Sequence, residues 1–131
     1  MTESDQKIYI HQRILRADAT LAEINNLIEF GYLHTAINRI YYGCFYSVQA
    51  LIATLDIYPK SHAGILRMFS LYFAKDGKVP LDLSELFVSL FHLRQLADYA
   101  EDIELNKENV EKLLSDTIAF VDHVKMLLQQ K

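Results

Sequence analysis

The sequence predicts an all-α fold, an antiparallel up-and-down bundle of about five helices. Three observations carry that expectation. Four glycines and two prolines in 131 residues leave too few breaks for many short strands. Apolar residues recur at alternating spacings of three and four, the period of a helix face rather than of a strand. The few breaks that exist sit beside capping residues and divide the chain into pieces of helix length.

The first helix is expected to begin near Thr2 or Ser4 and to run to about Phe30. Its seam is Ile10, Ile14, Ala17, Leu21, Ile24 and Ile28, and Gly31 is placed to stop it. The second follows almost at once, from about Tyr32 to Leu55, so the two should form an antiparallel hairpin. Asp56 to Lys60, with Pro59, reads as a loop. Ser61 is the expected N-cap of a third helix that ends at Gly77. Pro80 closes the next connection, and Asp82 and Glu85 have capping-box spacing for a fourth helix running to about Ala100. The acidic stretch DYAEDIE forms or leads into a turn. Asn106 then caps a fifth helix whose seam is Val110, Leu113, Thr117, Phe120, Val124 and Leu127. No repeat, low-complexity tract or linker interrupts residues 1–131, so one domain is expected.

Composition narrows the function classes. Apolar residues make up 51% and charged residues 23%, an ordinary globular balance. The formal charge of −4 does not resemble a general phosphate-backbone binder, so contact with nucleic acid would need a local basic patch. Cys44 is the only cysteine, which excludes an internal disulfide, and no Cys/His metal spacing occurs. Neither a metal nor a cofactor is expected. The polar start MTESDQK has no signal-like apolar core. The longest uncharged run, between Arg39 and Asp56, is too short for a bilayer span of about 20 residues. A soluble, cytoplasmic protein without membrane contact is the expectation.

Two helices carry residues that a plain bundle does not need. On a wheel of the second helix, Leu33, Ile37, Ile40, Cys44, Val48, Leu51 and Leu55 share one arc, with Tyr41, Phe45 and Ile52 beside it. The opposite arc holds Asn38, Arg39, Tyr42, Tyr46 and Gln49 among the small residues Ala36, Gly43, Ser47, Ala50 and Ala53. Small residues admit a close neighbour, and uncharged polar groups there want hydrogen-bond partners. This helix should therefore be central and covered on both sides. In the fourth helix Arg94 falls inside the apolar arc, with Asp98 at its edge and Tyr99 next. An Arg–Asp pair there is costly to desolvate unless it is well bonded. It reads as a structural tether, a dimer contact or part of a ligand site. His62 follows the Ser61 cap, where a helix N-terminus beside Lys60 favours an anion. Arg39 and Arg94 are candidates to hold a phosphate or carboxylate together.

The blocks AINRIYYGCFYSVQALI, YPKSHAGILRMFSLYFAKDG and LFHLRQLADYAED, in that order, closely resemble the HEPN domain family (higher eukaryotes and prokaryotes nucleotide-binding), in its small stand-alone prokaryotic form. The resemblance spans roughly residues 8 to 127. It implies a helical bundle that forms homodimers and that pairs with a minimal nucleotidyltransferase in toxin–antitoxin-like systems. It also implies, for many members, a ribonuclease motif of Arg, four to six residues, then His. Arg94 matches that arginine, but Asp98, Tyr99, Ala100 and Glu101 follow it and no histidine stands at the required offset. Arg39 and Arg67 fail the same test. The RxxxDY pattern resembles the branch without the ribonuclease histidine, and an ordinary tyrosine, with pKa about 10, is a poor acid–base at neutral pH.

Three functions remain open at this level. The first is a dimeric binding and interaction module that engages a nucleotidyltransferase, or a nucleotide-like or RNA ligand, through Asn38, Arg39, Tyr42, Tyr46, His62, Arg94, Asp98 and Tyr99. The second is a ribonuclease toxin using Arg94 with Asp98 or Tyr99 in place of the missing histidine. The third is a purely structural dimerisation domain.

Overall fold

The computed structural model describes residues 2–99 and 104–130, with the side chain of Tyr99 outside that description. All regular elements among them are helical, as the seams predict. They are α1 (Glu3–Ala22), α2 (Ile24–Glu29), α3 (Leu33–Ala53), α4 (His62–Phe69), α5 (Leu81–Tyr99) and α6 (Lys107–Gln129).

Local signals set most of the ends. Thr2 caps α1: its hydroxyl accepts from the Asp5 N–H at 3.0 Å, and the Asp5 carboxylate accepts from the Thr2 N–H. Gly31 adopts φ +83°, a left-handed conformation that lets the chain reverse between α2 and α3. Ser61 and Asn106 cap α4 and α6 as expected, each accepting from the N–H three residues on.

Three boundaries differ from expectation. The first helix breaks at Glu23, whose N–H reaches the Thr20 carbonyl only at 3.4 Å, so α2 is a separate short helix. The third helix is α-helical only to Phe69 and then widens into a π-helical turn, Ser70–Ala74, closed by Lys75 N–H to Ser70 carbonyl at 2.9 Å. Asp82 does not cap α5. The helix starts one residue earlier, and the Pro80 carbonyl accepts from the Ser84 N–H at 2.9 Å, leaving Asp82 in the first turn. Its acidic charge there still suits the positive end of the helix.

The helix predicted to be central is central. α3 packs against α1, α5 and α6, and most of its residues from Ala36 to Ala53 are buried. Gly43 shows why small residues line its second arc: a Cβ there would come within 2.8 Å of Leu21 Cγ on α1. The arc is the seat of α1. On the other side Phe69, Phe87 and Phe120 are completely buried, with Phe69 edge-on to Phe87 at 5.2 Å between centroids. Each such ring contributes roughly 1.5–3 kcal/mol of burial free energy, so this aromatic centre joins α4, α5 and α6 onto α3. Cys44 has no exposure, and burial pushes its thiol well above its ordinary pKa, as an inert core residue requires.

No helix among the described residues is long and apolar enough to cross a membrane. No group of three or more metal-ligating side chains gathers among them.

Candidate functional site

The polar residues of α3 divide between two neighbours. Tyr46 faces α1, where the guanidinium carbons of Arg13 and Arg16 lie 5.5 and 5.0 Å from its ring centroid. Arg13 also donates to Gln49 at 3.3 Å, and Arg39 donates to the Thr20 hydroxyl at 3.4 Å. Asn38 is half-buried. Arg39 is thus spent on α1 and is not gathered with Arg94. Among the described residues Arg13, Arg16 and Arg39 make no ion pair. These arginines therefore keep unneutralised charge in an acidic protein.

The second group forms where α3, α4 and α5 meet, around Tyr41. This residue has no solvent exposure, and its hydroxyl lies 2.8 Å from Nδ1 of His62. The α4 cap explains the placement of the histidine. Ser61 fixes the first turn, and His62, the first helical residue, is carried back over α3. Its ring stacks on Phe45 at 4.5 Å and stands edge-on to Tyr42 at 5.7 Å. From α5, Arg94 lays its guanidinium carbon 4.9 Å from the Tyr41 centroid and 5.9 Å from that of Tyr42. Phe91, one turn earlier on α5, adds an edge to Tyr41 at 6.3 Å.

The proton assignment follows from burial. A buried hydroxyl needs an acceptor, and His62 Nδ1 is the partner the Tyr41 hydroxyl has. Tyr41 therefore donates, and a neutral His62 carries its own proton on Nε2. The electrostatics agree. Burial, and secondarily the charge of Arg94, lowers the pKa of His62 below its ordinary value. Burial pushes the phenol of Tyr41 well up, with Arg94 opposing it only in part. The outcome is a neutral imidazole donor beside a permanent cation.

Arg94 is bonded less fully than its burial demands. Its side chain is 14% exposed, yet its one carboxylate partner among the described residues, Asp98, lies at 3.4 Å and is itself partly exposed. The Nε of Arg94 is buried without a partner. A guanidinium offers five N–H donors in a planar fork, so the cluster holds donor capacity that the described residues leave unused. Two tyrosine rings, set at 74° to each other, flank the guanidinium.

Of the residues singled out from sequence, Tyr42, His62, Arg94 and Asp98 come together here. Arg39 and Tyr46 belong to the α1 side, Asn38 is not brought to this cluster by any hydrogen bond among the described residues, and the side chain of Tyr99 lies outside the described residues. Sequence reading missed Tyr41, the pivot, because its wheel position lies beside the core arc and signals packing alone. Arg13 and Arg16 gave no signal either, since they sit among ordinary surface positions of α1.

The family model described as HEPN domain matches residues 10–127. Among curated relatives, a Methanocaldococcus jannaschii protein named "Putative toxin MJ0142" is 36% identical over 122 residues, covering 93% of this chain and 83% of that protein. A Thermotoga maritima protein named "UPF0332 protein" is 33% identical over 129 residues, 98% of this chain and 96% of its own length. A second M. jannaschii protein, "Putative toxin MJ0605", is 32% identical over 87% of this chain and 84% of its own.

Proposed function

This chain belongs to the HEPN domain family, and from that premise we propose that it is one half of a toxin–antitoxin-like pair. In this reading it is a homodimeric recognition module that takes a phosphate of a nucleotide or of RNA at Arg94 and docks a minimal nucleotidyltransferase. The observation that carries the proposal is the Arg94 guanidinium, which lies beside the Tyr41 and Tyr42 rings and, among the described residues, is under-bonded with a buried, unpartnered Nε. Phosphate oxygens are the acceptors that such a fork suits best. A neutral His62 with its proton on Nε2 adds a second donor. It is not a base at that nitrogen, which favours recognition over proton transfer.

Two further features support the reading. The toxin names of two relatives agree with a place in a toxin–antitoxin pair. The helix that bears Arg94 keeps Leu81 at 74% and Leu96 at 54% exposure, and a helix apolar on several sides wants a further cover. A second copy packed on that outer face of α5 would provide it.

Fluorescence anisotropy with labelled AMP and with a labelled 12-residue RNA tests the site. Arg94→Gln should weaken binding about tenfold or more, the loss of one or two charge-assisted hydrogen bonds, with unchanged helical circular dichroism. Equal binding by the variant would remove Arg94 from the function. Cleavage of the RNA by purified protein, abolished in Arg94→Ala, would replace recognition by the ribonuclease reading. Co-purification with a nucleotidyltransferase encoded beside it tests the partner.

A further inference from the structure

Away from Arg94, the seam of α1 is only partly used. Ala17, Leu21, Ile24 and Ile28 are buried, but Ile10 and Ile14, which continue the same stripe, remain half-buried. They form the floor of a groove of about 510 Å³ between α1, the end of α3 and the last turns of α6, with Leu128 as the opposite apolar wall. That volume falls within the range of small-ligand sites, roughly 300–1,000 Å³.

Two lysines, Lys7 and Lys125, line its rim beside His11, and among the described residues no carboxylate does, in a chain whose net charge is −4. Lys7 reaches Glu3 at 3.8 Å in a pair exposed on both sides, and such pairs hold a lysine weakly. Lys125 is drawn to Asp18 at 2.8 Å, outside the groove. The carbonyl end of α3, which would otherwise repel an anion, is already engaged. Gln6 Nε2 donates to the Ala53 carbonyl at 2.6 Å, and the Leu51 and Ile52 carbonyls accept from Thr54 and Leu55.

We propose that this groove is a binding site for a small amphipathic carboxylate, whose apolar body lies on Ile10, Ile14 and Leu128 and whose anionic head meets Lys7 at the rim. Charge complementarity selects the class: the floor takes any apolar body, but only a negative head gains from the rim. The site is independent of Arg94 and of the function proposed for it.

Decanoate, decanol and decyltrimethylammonium, each below its micelle concentration, are the probes. Calorimetry with the full chain should show saturable one-to-one binding of decanoate, with at least about fivefold weaker binding of the other two. Amide shifts on adding decanoate should centre on residues 6–14 and 125–129. Lys7→Gln should weaken decanoate about fivefold and leave decanol unchanged, and Ile14→Asp should abolish decanoate binding. Equal affinity for all three probes, no saturable binding, or shifts centred elsewhere would overturn the proposal. The shift map of the unmodified protein decides the matter even if Ile14→Asp fails to fold.

Discussion

Replacing Tyr41 by phenylalanine removes one oxygen atom from the centre of the Arg94 cluster and leaves every ring contact in place. The hydroxyl makes a single hydrogen bond, 2.8 Å to His62 Nδ1, and a neutral bond of that kind contributes about 0.5–1.5 kcal/mol net. The acceptor left behind is on a half-buried residue that water can reach in part, so the penalty for an orphaned buried group is not paid in full. The phenyl ring still lies beneath Arg94 and beside Phe87, whose centroid is 6.3 Å away in a near-parallel stack. The expected loss is therefore about 1 kcal/mol, or about 4 °C in Tm for a chain of this size. Urea denaturation followed by circular dichroism at 222 nm reads it directly, with an unchanged m-value showing that compactness is preserved. A loss beyond about 3 kcal/mol, or none, would refute the assignment of Tyr41 as donor to an otherwise sound aromatic frame.

Two other outcomes follow from the same geometry and from the α1–α3 contact. His62 has a lowered pKa in the folded state, so the unfolded chain binds more protons as pH falls through about 6.5. Stability should be complete above that value and decline below it, and His62→Gln should flatten this part of a pH series of urea midpoints; a slope that persists in the variant would exclude His62 as its source. Gly43→Ala gains about 1 kcal/mol of helix propensity but forces its methyl against Leu21, for a net loss of about 1 kcal/mol by thermal unfolding. Leu21→Ala should make the same substitution favourable in a double-mutant cycle, and strict additivity would refute the steric account.

How much of this was legible beforehand differs between frame and site. Ser61, Asn106 and Gly31 announced their helix ends because capping is settled within three or four residues, and the α3 arcs followed from spacing alone. The break at Glu23 and the π-helical turn after Phe69 had no such local sign; both depend on how neighbouring helices seat. The Arg94–Asp98 pair was visible as an i,i+4 spacing within an apolar stripe. The meeting of His62 with Tyr41 was not, because 21 residues and a loop separate them. Each also had a sufficient local explanation, His62 as neighbour of a cap and Tyr41 as core. Arg39, a candidate to join Arg94, instead bonds Thr20 on α1, and one wheel position cannot say which of two covering helices a long side chain will join.

The full enclosure of Tyr41 bears on how such a protein can change over time. Its ring packs with Phe45, Phe87 and Phe91 of the bundle and also carries Arg94 beside it and His62 at its hydroxyl. Position 41 is therefore pinned in size and shape, whereas the two polar groups are partly exposed and held by a few contacts each, at the edge of the core. A lineage could exchange the histidine or the arginine, trading one chemistry for another or for none, while the bundle folded as before. The frame is the inherited part and the reactive groups are fittings.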